Sequence, residues 1–238
     1  GSSRGIGREI ALAFAEAGAD VVVCSRARDN SLEEVAGEIR GLGRRSLAVP
    51  TDVTQSAAVD NLVQRTVDEF GTIDILVNNA GIVVKAAVVE QKEEDWDRVM
   101  DTNLKGYYLC SQAVSRVMID RKKGNIISIA SARAFRGGRE RVSYCVSKAG
   151  VVMMTRVLAL ELADYNIRVN AIAPGWLQTK LNEFVWRDPK AYDEIAATIP
   201  MKRWGTLREI ANVALFLASD VSGYVTGHTL VADGGLLA

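Results

Sequence analysis

Tyr144 and Lys148 stand four residues apart in the run Ser143-Tyr144-Cys145-Val146-Ser147-Lys148-Ala149, with Ser131 thirteen positions before the tyrosine. Residues four apart share one face of a helix, so the phenol and the ammonium are expected to occupy one microenvironment. A free phenol titrates near pH ~10, too high for efficient proton exchange at neutral pH. A neighbouring cation favours the phenolate and lowers that value; each unit is worth roughly 1.4 kcal/mol, so a useful shift demands close, partly desolvated contact. The pattern describes a tyrosine tuned by a lysine for proton exchange with a carbonyl or alcohol oxygen. Tyr-x-x-x-Lys also arises by chance on many helices, and other motifs must support it.

The second constellation is Gly1-Ser2-Ser3-Arg4-Gly5-Ile6-Gly7, followed by Ile10, Leu12, Ala13, Phe14, Ala17 and Gly18. Glycines permit positive φ and close backbone approach, and the amides at the following helix N-terminus attract a pyrophosphate. A Gly-Ser-Ser start also matches a purification-tag remnant, but its continuation through Arg4-Gly5-Ile6-Gly7 into an apolar-periodic helix argues for the phosphate turn.

Together with Asn78-Asn79-Ala80-Gly81, these constellations resemble the short-chain dehydrogenase/reductase family, and within it the 3-oxoacyl-acyl-carrier-protein reductases and related NADP-dependent ketoreductases. The resemblance covers nearly the whole length, through Asp52-Val53, Asn103, Ile126 to Ser131, the run Asn170-Ala171-Ile172-Ala173-Pro174-Gly175 and the terminal stretch from Gly227 to Gly235. It implies that Tyr144 donates a proton to the substrate oxygen while hydride passes from nicotinamide C4 to the carbonyl carbon. Lys148 is implied to depress the phenol pKa and bond the nicotinamide ribose, and Ser131 to hold the carbonyl oxygen and stabilise the developing alkoxide. Asn103 matches the asparagine that kinks its helix and holds a water in a proton relay. The purely structural alternatives are a turn-capping serine at Ser131 and an ordinary polar helix residue at Asn103.

The same resemblance implies a cofactor site at Gly1, Ser3, Arg4 and Ile6 in the phosphate turn, and at Ser25 and Arg26 after the next strand. Asp52 and Val53 would flank the adenine, while Asn79, Ala80 and Gly81 would line the ribose and nicotinamide side beside Tyr144 and Lys148. Pro174, Gly175, Leu177 and Thr179 match the loop at the carboxamide end. Asn78 is expected to be structural. A mobile substrate lid is implied over about 177–200, where Phe184, Val185 and Trp186 would either close over the substrate or pack as ordinary core.

These residues need elements to hold them. Apolar strand-like runs alternate with amphipathic helical ones, the pattern of an α/β, doubly wound Rossmann-type parallel sheet flanked by helices on both faces, here as a single domain over 1–238. Strands are expected at Asp20–Ser25, Arg45–Val49, Ile73–Asn78, Asn125–Ala130, Ile167–Ala173 and Thr229–Ala232, each rich in Val or Ile. Long helices are expected over Glu93–Lys122, carrying Asn103, and over Val142–Asp164, carrying Tyr144 and Lys148. The sequence opens inside the phosphate turn, whereas the strand order 3-2-1-4-5-6 requires a central strand just before it. An apolar strand within roughly ten further residues is therefore expected upstream, ending beside Gly1.

Charge bears on the cofactor. An acidic residue after the second strand bonds a ribose 2′-hydroxyl and repels a 2′-phosphate. Here the position reads Cys24-Ser25-Arg26, and a guanidinium there, with Arg4, favours NADP(H) over NAD(H). Arg133, Arg136, Arg139 and Arg141 crowd the stretch before Tyr144, which fits either a polar or anionic substrate or a solvated set paired with Glu140 and its neighbours.

Composition excludes other classes. The 29 basic residues balance the 29 acidic ones, so no overall field recruits nucleic acid or an anionic membrane. No apolar stretch reaches the ~20 residues of a bilayer span, and no signal-peptide pattern opens the chain, so a soluble, cytoplasmic protein is expected. Three unpaired cysteines suit reduced thiols, and His228, the sole histidine, leaves no multi-histidine metal site. The resemblance implies a homotetramer; the run from Val151 to Leu162 is apolar on more than one face, as a helix buried on two sides would be. The readings carried forward are an NADPH-dependent ketoreductase acting on a small-molecule carbonyl, a sugar or polyol dehydrogenase running in the oxidative direction, and a non-catalytic nucleotide sensor.

Overall fold

All six expected strands form, within one or two residues of their anticipated ends. In this computed structural model, residues 1–26 and 30–238 are described, without the side chains of Leu181 and Phe184. β1 (Val21–Ser25) pairs in parallel with β2 (Ser46–Pro50), and β3 (Ile75–Asn78), β4 (Gly124–Ile129), β5 (Ile167–Pro174) and β6 (Thr229–Ala232) form a second parallel sheet in that order. Between them run α1 (Gly5–Glu16), α2 (Ser31–Gly41), α3 (Ser56–Phe70), α4 (Glu93–Met100), α5 (Gly106–Arg121), α6 (Val142–Leu162), α7 (Glu183–Trp186), α8 (Pro189–Thr198) and α9 (Leu207–Ala218).

The central strands are buried on both faces, as a helix-covered parallel sheet requires. Successive side chains point to opposite faces. Ile127 and Ile129 of β4 therefore pack with Ile10 and Phe14 of α1 and Ile210, Ala214 and Leu217 of α9. Ile126, one residue before Ile127, joins Val114 and Met118 of α5 and Ala159 and Leu162 of α6 on the other side.

The doubly wound arrangement stands, with its strands in two sheets, and no described residue forms a strand between β1 and β3. Helix α1 holds the halves together. Its Ile10, Ala13 and Phe14 pack with the four-stranded sheet, while Ala11 and Ala15, one position round, pack with Val23 of β1 and Val35 and Ile39 of α2. The segment before α1 also spans the division: Ser2 N donates to Cys24 O at 2.9 Å and Asn79 Nδ2 donates to Gly1 O at 2.8 Å.

The expected helix over Glu93–Lys122 is continuous but not uniform, because residues Asp101–Lys105 widen into a π-helical turn between α4 and α5. Such turns accommodate one extra residue and mark functional positions, and this one contains Asn103. Helix α6 is apolar on two faces as read from its sequence. Val151, Val152, Ala159 and Leu162 enter the core, whereas Val146, Met153, Val157 and Leu160 lie on the surface of the single chain, Leu160 being 81% exposed.

Candidate active site

Strand β4 ends at Ile129, and Ser131, two residues on, begins a single 3-10 turn over Ala132–Ala134 in which its Oγ accepts the Arg133 amide at 3.1 Å. Capping does not exhaust this hydroxyl, since it also hydrogen-bonds the Tyr144 phenol. Helix α6 begins at Val142, which places Tyr144 in its first turn and Lys148 one turn later on the same face. Ser131 and Lys148 are buried and Asn103 is completely so. Lys148 Nζ donates to Ile129 O at 2.7 Å and to Tyr107 Oη at 3.4 Å, and lies 5.9 Å from the Tyr144 ring centroid.

The electrostatics differ from the sequence expectation of a phenol acidified by its lysine. Burial raises the Tyr144 pKa above its ordinary value, and the groups that oppose this are the Ser131 hydrogen bond and the charges of Arg133 and Arg141. Lys148 is itself desolvated, which lowers its pKa to about 7. At the pH where the phenol ionises, the amine has already lost most of its charge and cannot assist. A phenol kept protonated at neutral pH is a proton donor, the role that carbonyl reduction requires.

Asn103 works as a fastener. Its Oδ1 accepts from Ile82 N at 2.8 Å, and its Nδ2 donates to Ile82 O at 2.9 Å and to Ser147 Oγ at 3.1 Å, while Ser147 Oγ donates to Tyr144 O at 2.8 Å. This chain of bonds ties the loop after Gly81 to the first turn of α6. Asn78 is structural, as expected: its Nδ2 donates to Ser111 Oγ at 3.0 Å and to Ser128 Oγ at 3.3 Å, stitching β3 to α5 and β4.

The glycine turn fits a dinucleotide phosphate. Arg4 N-caps α1 without a side-chain bond to the helix amides, and no acidic residue occupies the first turn. The orphan donors and the positive dipole end are left for an anion. A Cβ on Gly7 would stand 2.2 Å from Gly1 O and 2.4 Å from Asn79 Nδ2, so only glycine lets the turn close against the end of β3. Gly1, in the same segment as Ser3, Arg4 and Ile6, packs against Asn79 and Ala80, and a Cβ on Gly81 would lie 3.6 Å from Lys148 Nζ, which brings the turn towards the Tyr144–Lys148 pair.

At the far side of that turn, Arg26 follows β1 and its Nη1 lies 3.9 Å from Asp52 Oδ2, with both side chains substantially exposed. Ser25 and Val53 are buried beside them. Pro174 ends β5, and Gly175 packs against Asp233, where a Cβ would come within 2.7 Å of Asp233 Cα. Leu177 is core. Thr179 is committed locally, its hydroxyl and amide bonding Asn182 Oδ1 at 2.9 and 3.0 Å. The Phe184 side chain lies outside the described residues. Val185 and Trp186 pack with Ala196, Ile199 and Trp204, and Trp186 Nε1 donates to Thr179 O at 2.8 Å, so here they are packing residues.

Two residues in this region escaped the sequence reading. Tyr107 contacts Lys148, and its signal was its place one turn after Asn103 on the same helix. Trp176 walls a cavity that Ala132 also lines, and it had no periodic signal because it sits in an irregular loop. Arg133 and Arg136, noticed only as charge, line the same cavity. Among the described residues no group of His, Cys, Asp and Glu is arranged to hold a metal ion, and no helix is long and apolar enough to cross a membrane.

A family model described as enoyl-(acyl carrier protein) reductase matches residues 1–237. The 3-oxoacyl-[acyl-carrier-protein] reductase FabG of Thermotoga maritima is 41% identical over 237 residues, covering 100% of this chain and 95% of that protein. Among solved structures, a short-chain type dehydrogenase/reductase from Mycobacterium marinum superposes with a TM-score of 0.93 at 40% identity, covering 99% of this chain and 92% of that one. A gluconate 5-dehydrogenase from Burkholderia cenocepacia J2315, in complex with NADP and tartrate, gives a TM-score of 0.95 at 37% identity, with 100% and 92% covered. Sequence and fold agree over the whole length, so the chain belongs to the short-chain dehydrogenase/reductase family of nicotinamide-dependent oxidoreductases.

Proposed function

We propose that the protein reduces a ketone or 3-oxoacyl compound to a secondary alcohol with NADPH, Tyr144 acting as general acid. The observation that carries this is the partly buried Tyr144 phenol, held protonated by desolvation beside the Ser131 hydroxyl and one turn from buried Lys148. When bound, the nicotinamide supplies the hydride. Ser131 orients the substrate oxygen by hydrogen bonding, Tyr144 delivers the proton to that oxygen as charge develops on it, and Lys148 restores the tyrosine's proton supply from its own ionisation near neutrality. Gly1, Ser3, Arg4 and Ile6 would hold the pyrophosphate. Arg26 would hold a 2′-phosphate, Asp52 and Val53 the adenine, Asn79, Ala80 and Gly81 the ribose, and Pro174, Gly175, Leu177 and Thr179 the carboxamide end.

The gluconate 5-dehydrogenase likeness favours a second reading, oxidation of a sugar or polyol hydroxyl by the same residues in reverse. A panel of ketones with NADPH and of polyols with NADP, followed by the absorbance of the reduced nicotinamide, separates the two. Cofactor binding without turnover on either panel would leave only a nucleotide sensor. The exposed apolar stripe Val146, Met153, Val157 and Leu160 on α6 supports assembly with further copies of the chain, as a homotetramer.

A further inference from the structure

A cavity of about 250 Å³ opens beside Ala132, the residue after Ser131 in the chain, and is lined by Arg133, Arg136, Trp176, Ile195 and Leu236. Arg133 is held in place without being neutralised. Its Nη1 donates to Gly137 O at 2.7 Å, a Cβ on Gly138 would come within 3.0 Å of the same nitrogen, and Cζ stands 6.0 Å from the Trp176 ring centroid. Most of its five N–H donors are left without a protein partner among the described residues. The same residues bring no carboxylate within ion-pair reach of Arg133 or Arg136.

Further cations crowd this region. The Arg141 charge acts on both Arg133 and Lys85, and Arg136 acts on Arg133, whereas Glu140 acts on Lys85. Desolvation pushes the Arg133 guanidinium below its usual range. A half-buried cation without a counter-ion costs free energy that a planar anion would recover through paired charge-assisted bonds.

We infer that Arg133, with Arg136 beside it, binds a carboxylate of the substrate, so that the enzyme acts on small carbonyl compounds bearing an acid group a few bonds from the carbon being reduced. At about 250 Å³ the cavity is of a size to take a short acid. Trp176, Ile195 and Leu236 would cover the carbon skeleton between the two polar ends. The inference rests on the carbonyl-reduction reading for turnover, but the anion site itself can be tested without it.

Two measurements on the full-length protein do so. First, tryptophan fluorescence is titrated with succinate and with the neutral isostere succinamide, Trp176→Phe identifying the reporter. Succinate is expected to give a saturable change and succinamide none, with succinate binding about 10–100-fold weaker in Arg133→Gln and restored in part by Arg133→Lys. Arg136→Gln, further from Ser131 in the chain, should weaken it several-fold. Equal responses to both ligands, no succinate response, or full retention in both Gln variants would overturn the site.

Second, kcat/KM is compared for acetoacetate and acetoacetamide with NADPH. Because the Arg133 charge also acts on the Tyr144 phenol, the readout is the acid-to-amide ratio. The wild type should favour the acid at least tenfold, and Arg133→Gln should abolish that preference. Reduction of both compounds with a ratio that Arg133→Gln leaves unmoved would remove the carboxylate role while leaving ketone reduction intact. Succinate binding through Arg133 with no ketone reduced would instead keep the site and sink the proposed reaction.

Discussion

Lys148 Nζ donates to Tyr107 Oη at 3.4 Å and lies 5.1 Å from that ring's centroid, so the lysine expected to serve Tyr144 is shared with a second, fully buried tyrosine. Tyr107 in turn donates to Ile129 O at 3.3 Å, the same carbonyl that accepts from Lys148. Burial drives the Tyr107 pKa well above its ordinary value, so its hydroxyl stays protonated at any working pH and acts as a fixed dipole beside the amine.

Tyr107→Phe removes one of two bonds to Lys148. It is expected to lower kcat about 3–10-fold with little change in KM, to move the pH limb that reports the lysine, and to cost about 1 kcal/mol of stability. Steady-state kinetics across pH checks this, and a lowered kcat with an unmoved pH limb would reduce Tyr107 to packing.

Lys148→Met should abolish turnover and still stabilise the fold. The folded-state lysine pKa, about 7, lies below the unfolded value of 10.5, so the unfolded chain binds more protons between those values and stability rises with pH across that window. Below pH ~7 the lysine is charged in both states, and its burial penalty is present in full. Replacing it by a similarly sized apolar side chain is expected to raise Tm by about 2–6 °C at pH 6.5 and by less at pH 9. Thermal melts of both proteins at the two pH values decide it; a gain larger at pH 9 would contradict the assignment.

Arg26→Ala should cut kcat/KM with NADPH about tenfold or more while leaving NADH nearly unchanged, because only the 2′-phosphate needs the guanidinium. The proximity of Asp52, at 3.9 Å, makes the preference one of degree. Kinetics with both nucleotides provide the check, and a wild-type preference for NADH would reverse the assignment.

Leu160→Glu places a charge at the most exposed position of the α6 stripe. The variant should sediment as a smaller species than the wild type while keeping its fold, since Leu160 contributes little to the core. An unchanged sedimentation coefficient would show that this face is not an interface.

Much of this was legible in the sequence because the carriers are local. Val- and Ile-rich runs placed all six strands, and the spacing of Tyr144 and Lys148 placed them on one helix face. What depended on tertiary environment was not legible. Whether Lys148 acidifies Tyr144 turns on how deeply each is buried, and burial pushes the phenol pKa up and the amine pKa down. The π-turn at Asn103 is set by bonds to Ile82, about twenty residues away in sequence. Whether Arg133 is paired depends on which acids the fold brings near, and no spacing in the chain records that.

The account turns on the Tyr144 proton, and Tyr144→Phe tests it most directly. Ketone reduction with NADPH should fall about 10²–10⁴-fold while NADPH binding, followed by cofactor fluorescence, stays within a few-fold of the wild type. Reduction at the wild-type rate by this variant would contradict the account.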